Sequence, residues 1–172
     1  IHPLIIEARE EAYDKLATIA DNTFTFVSNT TIYHKANNTI ADIVKSNYEY
    51  TEISEVPEYI QNGYIAVEDK RFLKHNGIDY ISLCRASLAL IINRGEITQG
   101  GSTITQQVIK NMLLTQEQTY KRKLIEFFIA PELEKQYSKA EIMEYYVNTC
   151  YYGNGCYGIG SAASFYFGKL PK

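Results

Sequence analysis

Residues 65–79 read IAVEDKRFLKHNGID: an apolar run, an acidic pair at its end, and a glycine that closes the segment. A helix through this stretch, ending near Gly77, places Glu68, Phe72 and His75 on one stripe, with Arg71 beside them and Asp69 about a quarter turn away. The pattern holds a carboxylate on a mostly apolar face. Such a charge is costly unless it is hydrogen-bonded, paired or used, which makes Glu68 a candidate functional residue. Taken alone, the stretch reads as readily as a surface glutamate paired with Arg71, a contact of little energetic weight. The rest of the chain decides between the two.

Composition bounds the choice. The chain has 172 residues, 45% of them hydrophobic, with 15 Tyr and no Trp. That describes one globular domain, long enough to bury a core. A net charge of -3 argues against nucleic acid as a partner, because neutralising phosphates takes a strong excess of Lys and Arg. Any anionic ligand must be met by a local cluster. Cys84, Cys150 and Cys156 make an odd count with no C-x2-C pair, so they read as free buried thiols, with a Cys150–Cys156 disulfide left open. No run reaches the roughly 20 apolar residues of a bilayer span, and no signal peptide is present.

Upstream of the central stretch, Val56, Ile60, Tyr64 and Val67 recur at helical spacing behind a start at Ser54 to Pro57. Residues 1–20, with Ile5, Ala8, Ala12, Leu16 and Ile19, predict an amphipathic helix opened by Pro3. Between them, Phe24, Phe26 and Ile32 alternate around Ser28-Asn29, which predicts a short β-hairpin.

Downstream, Asp79 is the expected cap of a helix over 80–94 that is apolar almost all round, broken chiefly by Ser82, Arg85 and Ser87, and ended by Gly95. Such a helix is either buried centrally or lies in a membrane interface; its residues alone favour burial. Gln99 to Leu114 follow, where Gly100 and Gly101 allow close backbone approach and Ser102 or Thr103 caps a helix whose first amides would welcome an anion. In that helix Gln107, Lys110 and Asn111 form a polar, partly cationic ledge over an apolar underside that includes Ile104, Val108 and Met112. Glu126 stands four residues after Arg122 and three after Lys123, a second carboxylate flanked by cations. Pro131 is expected to bend that helix. Ser138 to Glu141 form a capping box for the next helix, and the small residues Gly158, Gly160, Ala162 and Ala163 permit tight packing near the end.

In order, EDKRFLKHNG (68–77), GGSTITQQ (100–107), RKLIE (122–126), SKAEIMEYYVN (138–148), YGNGCYGIG (152–160) and AASFYFGK (162–169) resemble the motifs of peptidoglycan glycosyltransferases. These are the transglycosylase domains of class A penicillin-binding proteins and monofunctional cell-wall transglycosylases. The resemblance spans residues 55–170. It implies a mainly α fold with a lysozyme-like head lobe, about 1–77 and 120–172, and a smaller membrane-facing jaw, about 78–119. The apolar helix over 80–94 then belongs to the jaw rather than to a buried core. A single glycosyltransferase domain would cover 1–172, short of the closing C-terminal helices of the family.

The resemblance also implies the chemistry. A growing glycan on a polyprenyl pyrophosphate is the donor and lipid II the acceptor, and the product is a β-1,4 glycan strand with inversion at the anomeric carbon. Glu68 matches the general base, favoured by desolvation on its apolar face. Lys110, Arg122 and Lys123, with amides near Gly101 and Ser102, would stabilise the departing pyrophosphate. Glu126 matches the second family carboxylate, orienting those cations or helping to hold Mg²⁺ or Mn²⁺ brought with the pyrophosphate. Asp69, Phe72, His75, Gln106, Gln107 and Asn111 complete the substrate-binding set. Expected partners are lipid II, the lipid-linked glycan and the membrane surface, with a transpeptidase domain in the intact chain. The expected location is the outer face of the bacterial cytoplasmic membrane, with a membrane anchor. Two departures stand out: Gln118 occupies the position of a usual Arg, and Pro131 interrupts a usually continuous helix. A hydrolase of the same glycan and a non-catalytic wall-binding module are the competing classes.

Overall fold

The computed structural model describes residues 2–21, 30–33, 39–43, 48–93, 100–113 and 120–171. The described chain is mainly helical: α1 (Pro3–Asp21), α2 (Glu58–Glu68), α3 (Tyr80–Ile92), α4 (Ile104–Leu113), α5 (Tyr120–Gln136), α6 (Lys139–Thr149) and α7 (Ile159–Phe167). One antiparallel ribbon pairs β1 (Thr30–Tyr33) with β2 (Thr39–Ile43). The expected hairpin thus sits later in the chain, with Ile32 in its first strand. The expected turn at Ser28-Asn29 lies outside the described residues.

Three helices build the core around the site. α4 packs against both α5 and α6, and Ile104, Val108, Ile109, Ile129, Leu133 and Ile142 are fully buried among them. α4 therefore shares this core, although the expected jaw at 78–119 contains it. α1 lies along α5, where Ala8 and Ala12 let the two backbones approach closely. Lys121 at the start of α5 reaches back to Glu7 and Glu11 of α1.

The caps follow local chemistry. Asp79 accepts from the amides of Ile81 and Ser82 and opens α3 as predicted. Ser138 and Glu141 form the complete capping box of α6. Pro131 does not end α5, which runs through to Gln136. Gly77 rests against that helix at the same level: a Cβ there would lie 2.5 Å from the Ala130 carbonyl and 2.8 Å from Pro131 N, and its φ is +86°. Gly160 is equally committed, since a Cβ would meet Thr51 Oγ1 at 2.5 Å, which bears out the tight packing expected of this segment.

On α3, Tyr80, Ile81, Leu88, Ile91 and Ile92 are exposed, as the resemblance implies and burial does not. No helix among the described residues is long and apolar enough to cross a membrane. The three cysteines are free, and Cys84 is exposed rather than buried.

Candidate active site

The helix expected to run to Gly77 stops at Glu68. Asp69 leaves the helical conformation with φ −152° and ψ 77°, and only a single 3-10 turn, Phe72–Lys74, follows. The predicted stripe is broken between its first and second members. Phe72 and His75 turn into the core, while Glu68 stays exposed at the end of α2 instead of lying on an apolar face. The reason is a bond the local pattern does not reveal. Asp69, buried, accepts from the amide of Ile104 at 3.0 Å and faces His75 Nε2 at 2.9 Å.

That bond also revises the start of α4. Thr103 Oγ1 accepts from Gln106 N at 3.1 Å, and Gln106 Oε1 accepts from Thr103 N at 3.0 Å, a reciprocal capping box. The amides of Ile104 and Gln106 are therefore already bound to protein. Side-chain cations remain to meet an anionic ligand.

Those cations lie together. A cavity of about 530 Å³ is lined by Val67, Glu68, Gly100, Ser102, Gln106, Gln107, Lys110, Arg122, Lys123 and Glu126. α2 delivers Glu68 from its last residue, α4 delivers Gln107 and Lys110 one turn apart, and α5 delivers Arg122, Lys123 and Glu126. Gln107 Nε2 donates to Glu68 Oε2 at 3.0 Å. Glu126 is only 2% exposed; Lys123 Nζ donates to its Oε2, and Arg122 Nε lies 3.6 Å from its Oε1. Lys123 also donates to Ser102 Oγ at 2.8 Å, tying the Gly-rich entry of α4 to α5.

A second cavity of about 340 Å³ shares Val67, Glu68, Gly100 and Ser102 with the first and adds Asp69, Lys70, Asp79, Ser82, Arg85, Gly101 and Thr103. Ser82 and Arg85 were the polar interruptions of the otherwise apolar α3, so a signal for them was present in the sequence. Ser82 Oγ donates to Asp79 and accepts from Arg85. Burial raises the Asp79 pKa, but bonds from the Ser82 hydroxyl and amide and the nearby Arg71 guanidinium outweigh it and hold the carboxyl below its usual range.

Of the predicted site residues, Glu68, Ser102, Gln106, Gln107, Lys110, Arg122, Lys123 and Glu126 line the first cavity, and Asp69 and Gly101 the second. Phe72 and His75 do not: both are buried behind the wall. Asn111 is exposed and lines neither cavity. Gln118 lies outside the described residues. Behind Glu68 the sequence reading missed Tyr64, Tyr146, Cys150 and Tyr152. The Tyr64 and Tyr152 hydroxyls are hydrogen-bonded, and the rings of Tyr64 and Tyr146 meet edge to face. Burial pushes the Cys150 thiol up to about 11, a Tyr146 hydrogen bond works against this, and the charge of Glu68 adds to it.

A transglycosylase family model matches residues 36–172. The chain belongs to the transglycosylase family. It is 45% identical over 133 residues to penicillin-binding protein 1F of Bacillus subtilis, covering 77% of this chain and 18% of that protein. It is 36% identical over 169 residues to penicillin-binding protein 4 of the same organism, covering 97% of this chain and 27% of the relative. With a monofunctional glycosyltransferase of Staphylococcus haemolyticus it shares 43% identity over 125 residues, covering 73% of this chain and 46% of that enzyme. The chain thus spans less than half the length of these relatives. A transglycosylase domain suits the observed pairing of an exposed glutamate with a cationic cavity wall.

Proposed function

We propose that this transglycosylase domain is a peptidoglycan glycosyltransferase that polymerises lipid II into β-1,4 glycan strands, inverting the anomeric carbon and releasing polyprenyl pyrophosphate. One observation carries the reading: a solvent-exposed carboxylate, Glu68, shares a cavity with Lys110, Arg122 and Lys123. Glu68 acts as general base, taking the proton from the acceptor 4-hydroxyl as that oxygen attacks C1 of the donor; such a base contributes ~10²–10⁴ in rate. Gln107 orients it through the bond to Oε2. Breaking the C1–O bond leaves negative charge on the pyrophosphate, which the three cations stabilise as it develops.

Glu126 has a different task. Held by Lys123 and Arg122, it orients cations rather than serving the sugar directly. This disfavours a hydrolase of the same glycan, which needs a second carboxylate at the scissile bond. The residues present do not fit a resident metal ion. Among the described residues no group of three or more His, Cys, Asp or Glu could hold one, and Glu126 is occupied by cations. Mg²⁺ or Mn²⁺ would arrive with the pyrophosphate. The exposed apolar residues of α3 support a membrane-facing jaw at the outer surface of the cytoplasmic membrane. An anchor and a transpeptidase domain in the intact protein belong to the same proposal.

The test is polymerisation of labelled lipid II by the full-length, membrane-anchored protein and its Glu68→Gln variant, each checked for folding. Glycan from the wild type and none from the folded variant supports the assignment. A variant that polymerises at the wild-type rate moves the base elsewhere, and a wild type that only cleaves preformed glycan overturns the reaction class.

A further inference from the structure

The first turn of α5 carries Lys121, Arg122 and Lys123 in succession and no acidic residue. Three cations at a helix N-terminus meet the positive end of its dipole, so the turn is unfavourable unless negative charge is brought to it from elsewhere. Two of the three find it within the helix: Arg122 and Lys123 share Glu126, and both line the cavity. Lys121 lines neither cavity. Successive residues of a helix are rotated by about 100°, which sets Lys121 about 200° from Lys123. Its ammonium turns to α1 instead.

Two carboxylates receive it there. Lys121 Nζ donates to Glu7 and lies 2.9 Å from Glu11 Oε2, and these two glutamates stand one turn apart on one face of α1. Glu11 also reaches Lys15 at 3.8 Å, which makes the contact a small network. An isolated exposed pair is worth little, whereas a network can hold its geometry. Packing backs it, since Ala8, Ala12 and Leu16 are buried where α1 lies along α5. On the cavity side of the same turn, Lys123 donates to Ser102 Oγ at 2.8 Å. The turn that presents the cavity cations is thus gripped twice, by the entry of α4 and by α1. That helix precedes residues 36–172, the segment the family model matches.

We propose that Glu7 and Glu11 are positioning residues: by taking Lys121 they fix the first turn of α5, and so set Arg122 and Lys123 in the cavity wall without touching substrate. α1 is then part of the scaffold of the site rather than a lead-in to it. The kinetic consequence rests on the glycosyltransferase reading, and the structural one does not. Loosening the turn misplaces groups that act as charge develops on the departing pyrophosphate, which costs rate more than ground-state binding.

The experiment compares a double variant, Glu7→Lys with Glu11→Lys, which sets two ammonium groups against Lys121, with a triple variant that adds Lys121→Glu and restores opposite charges. Neither glutamate is buried, so the changes leave the core intact. Both variants are made in the full-length protein and followed by lipid II polymerisation and by amide hydrogen exchange. In the double variant kcat falls by ~10-fold with KM within about twofold, as expected of misplacement. Exchange at residues 124–127, whose amides bond back to the first turn of α5, quickens by ~10-fold while residues 142–147 of α6 stay protected, as a local opening requires. The triple variant recovers both. Unchanged kcat or unchanged exchange in the double variant overturns the proposal, and so does a loss that the charge swap does not recover. If the wild type itself makes no glycan, the glycosyltransferase reading falls, and the exchange data still decide whether α1 holds α5.

Discussion

Glu68 and Glu126 line the same cavity and are held in opposite ways. Glu68 ends a helix, stands in solvent and receives one amide donor from Gln107. Glu126 sits mid-helix, buried, between a lysine and an arginine of its own helix. A carboxylate at a helix C-terminus faces the negative end of the macrodipole and is not stabilised there. One buried between two cations is tied to them. The difference separates a group available to exchange a proton with a ligand from one whose charge arranges its neighbours.

The largest effect that tests this contrast is Glu68→Gln. Removing a general base lowers kcat by ~10²–10⁴, and because the side chain is exposed the melting temperature stays within a degree or so of wild type. A large fall in thermal stability would show that Glu68 also serves the fold. Glu126→Gln should do the reverse in stability. It leaves Arg122 and Lys123 without their shared carboxylate and costs about 1–3 kcal/mol, read from denaturant unfolding, along with a loss of polymerisation. If it unfolds at the wild-type midpoint, the two carboxylates are not held as differently as their burial implies.

A smaller effect is expected from Gln107→Leu, which removes the amide that donates to Glu68. Polymerisation slows by ~10-fold with little change in unfolding, about the weight of one charged hydrogen bond. The smallest effect is electrostatic. Cys150 has its thiol raised to about 11 by burial, with a contribution from Glu68. In Glu68→Gln that contribution vanishes, so the pH profile of Cys150 alkylation moves to lower pH, while exposed Cys84 serves as the internal reference. An unmoved profile would place the charge of Glu68 outside the reach of Cys150.

The parts of this molecule legible in advance are those in which a residue and its partner are close in sequence. Asp79 caps α3 through amides two and three residues on. Ser138 and Glu141 cap α6 across three. Arg122 and Lys123 reach Glu126 within one turn of α5. The periodicity of Ala8, Ala12 and Leu16 marked the buried face of α1. Asn111 stands outside the cavity lining, because a shared helix face in sequence is wider than the strip of it that meets the cavity.

What the residues alone determined is therefore most of the helices, the caps of α3 and α6, and the acidic and basic groups of the cavity wall, since these follow from patterns within one helical turn. Only the tertiary structure decided that α2 stops at Glu68, that the Ile104 amide is taken by Asp69 rather than left for an anion, and that His75 is buried behind the cavity wall. All three follow from one contact, Asp69 with Ile104 N, between residues 35 apart in the chain. Such a bond forms only when the packing of α4 on α5 and α6 has already met the entropy of closing the loop, and no local pattern carries that information.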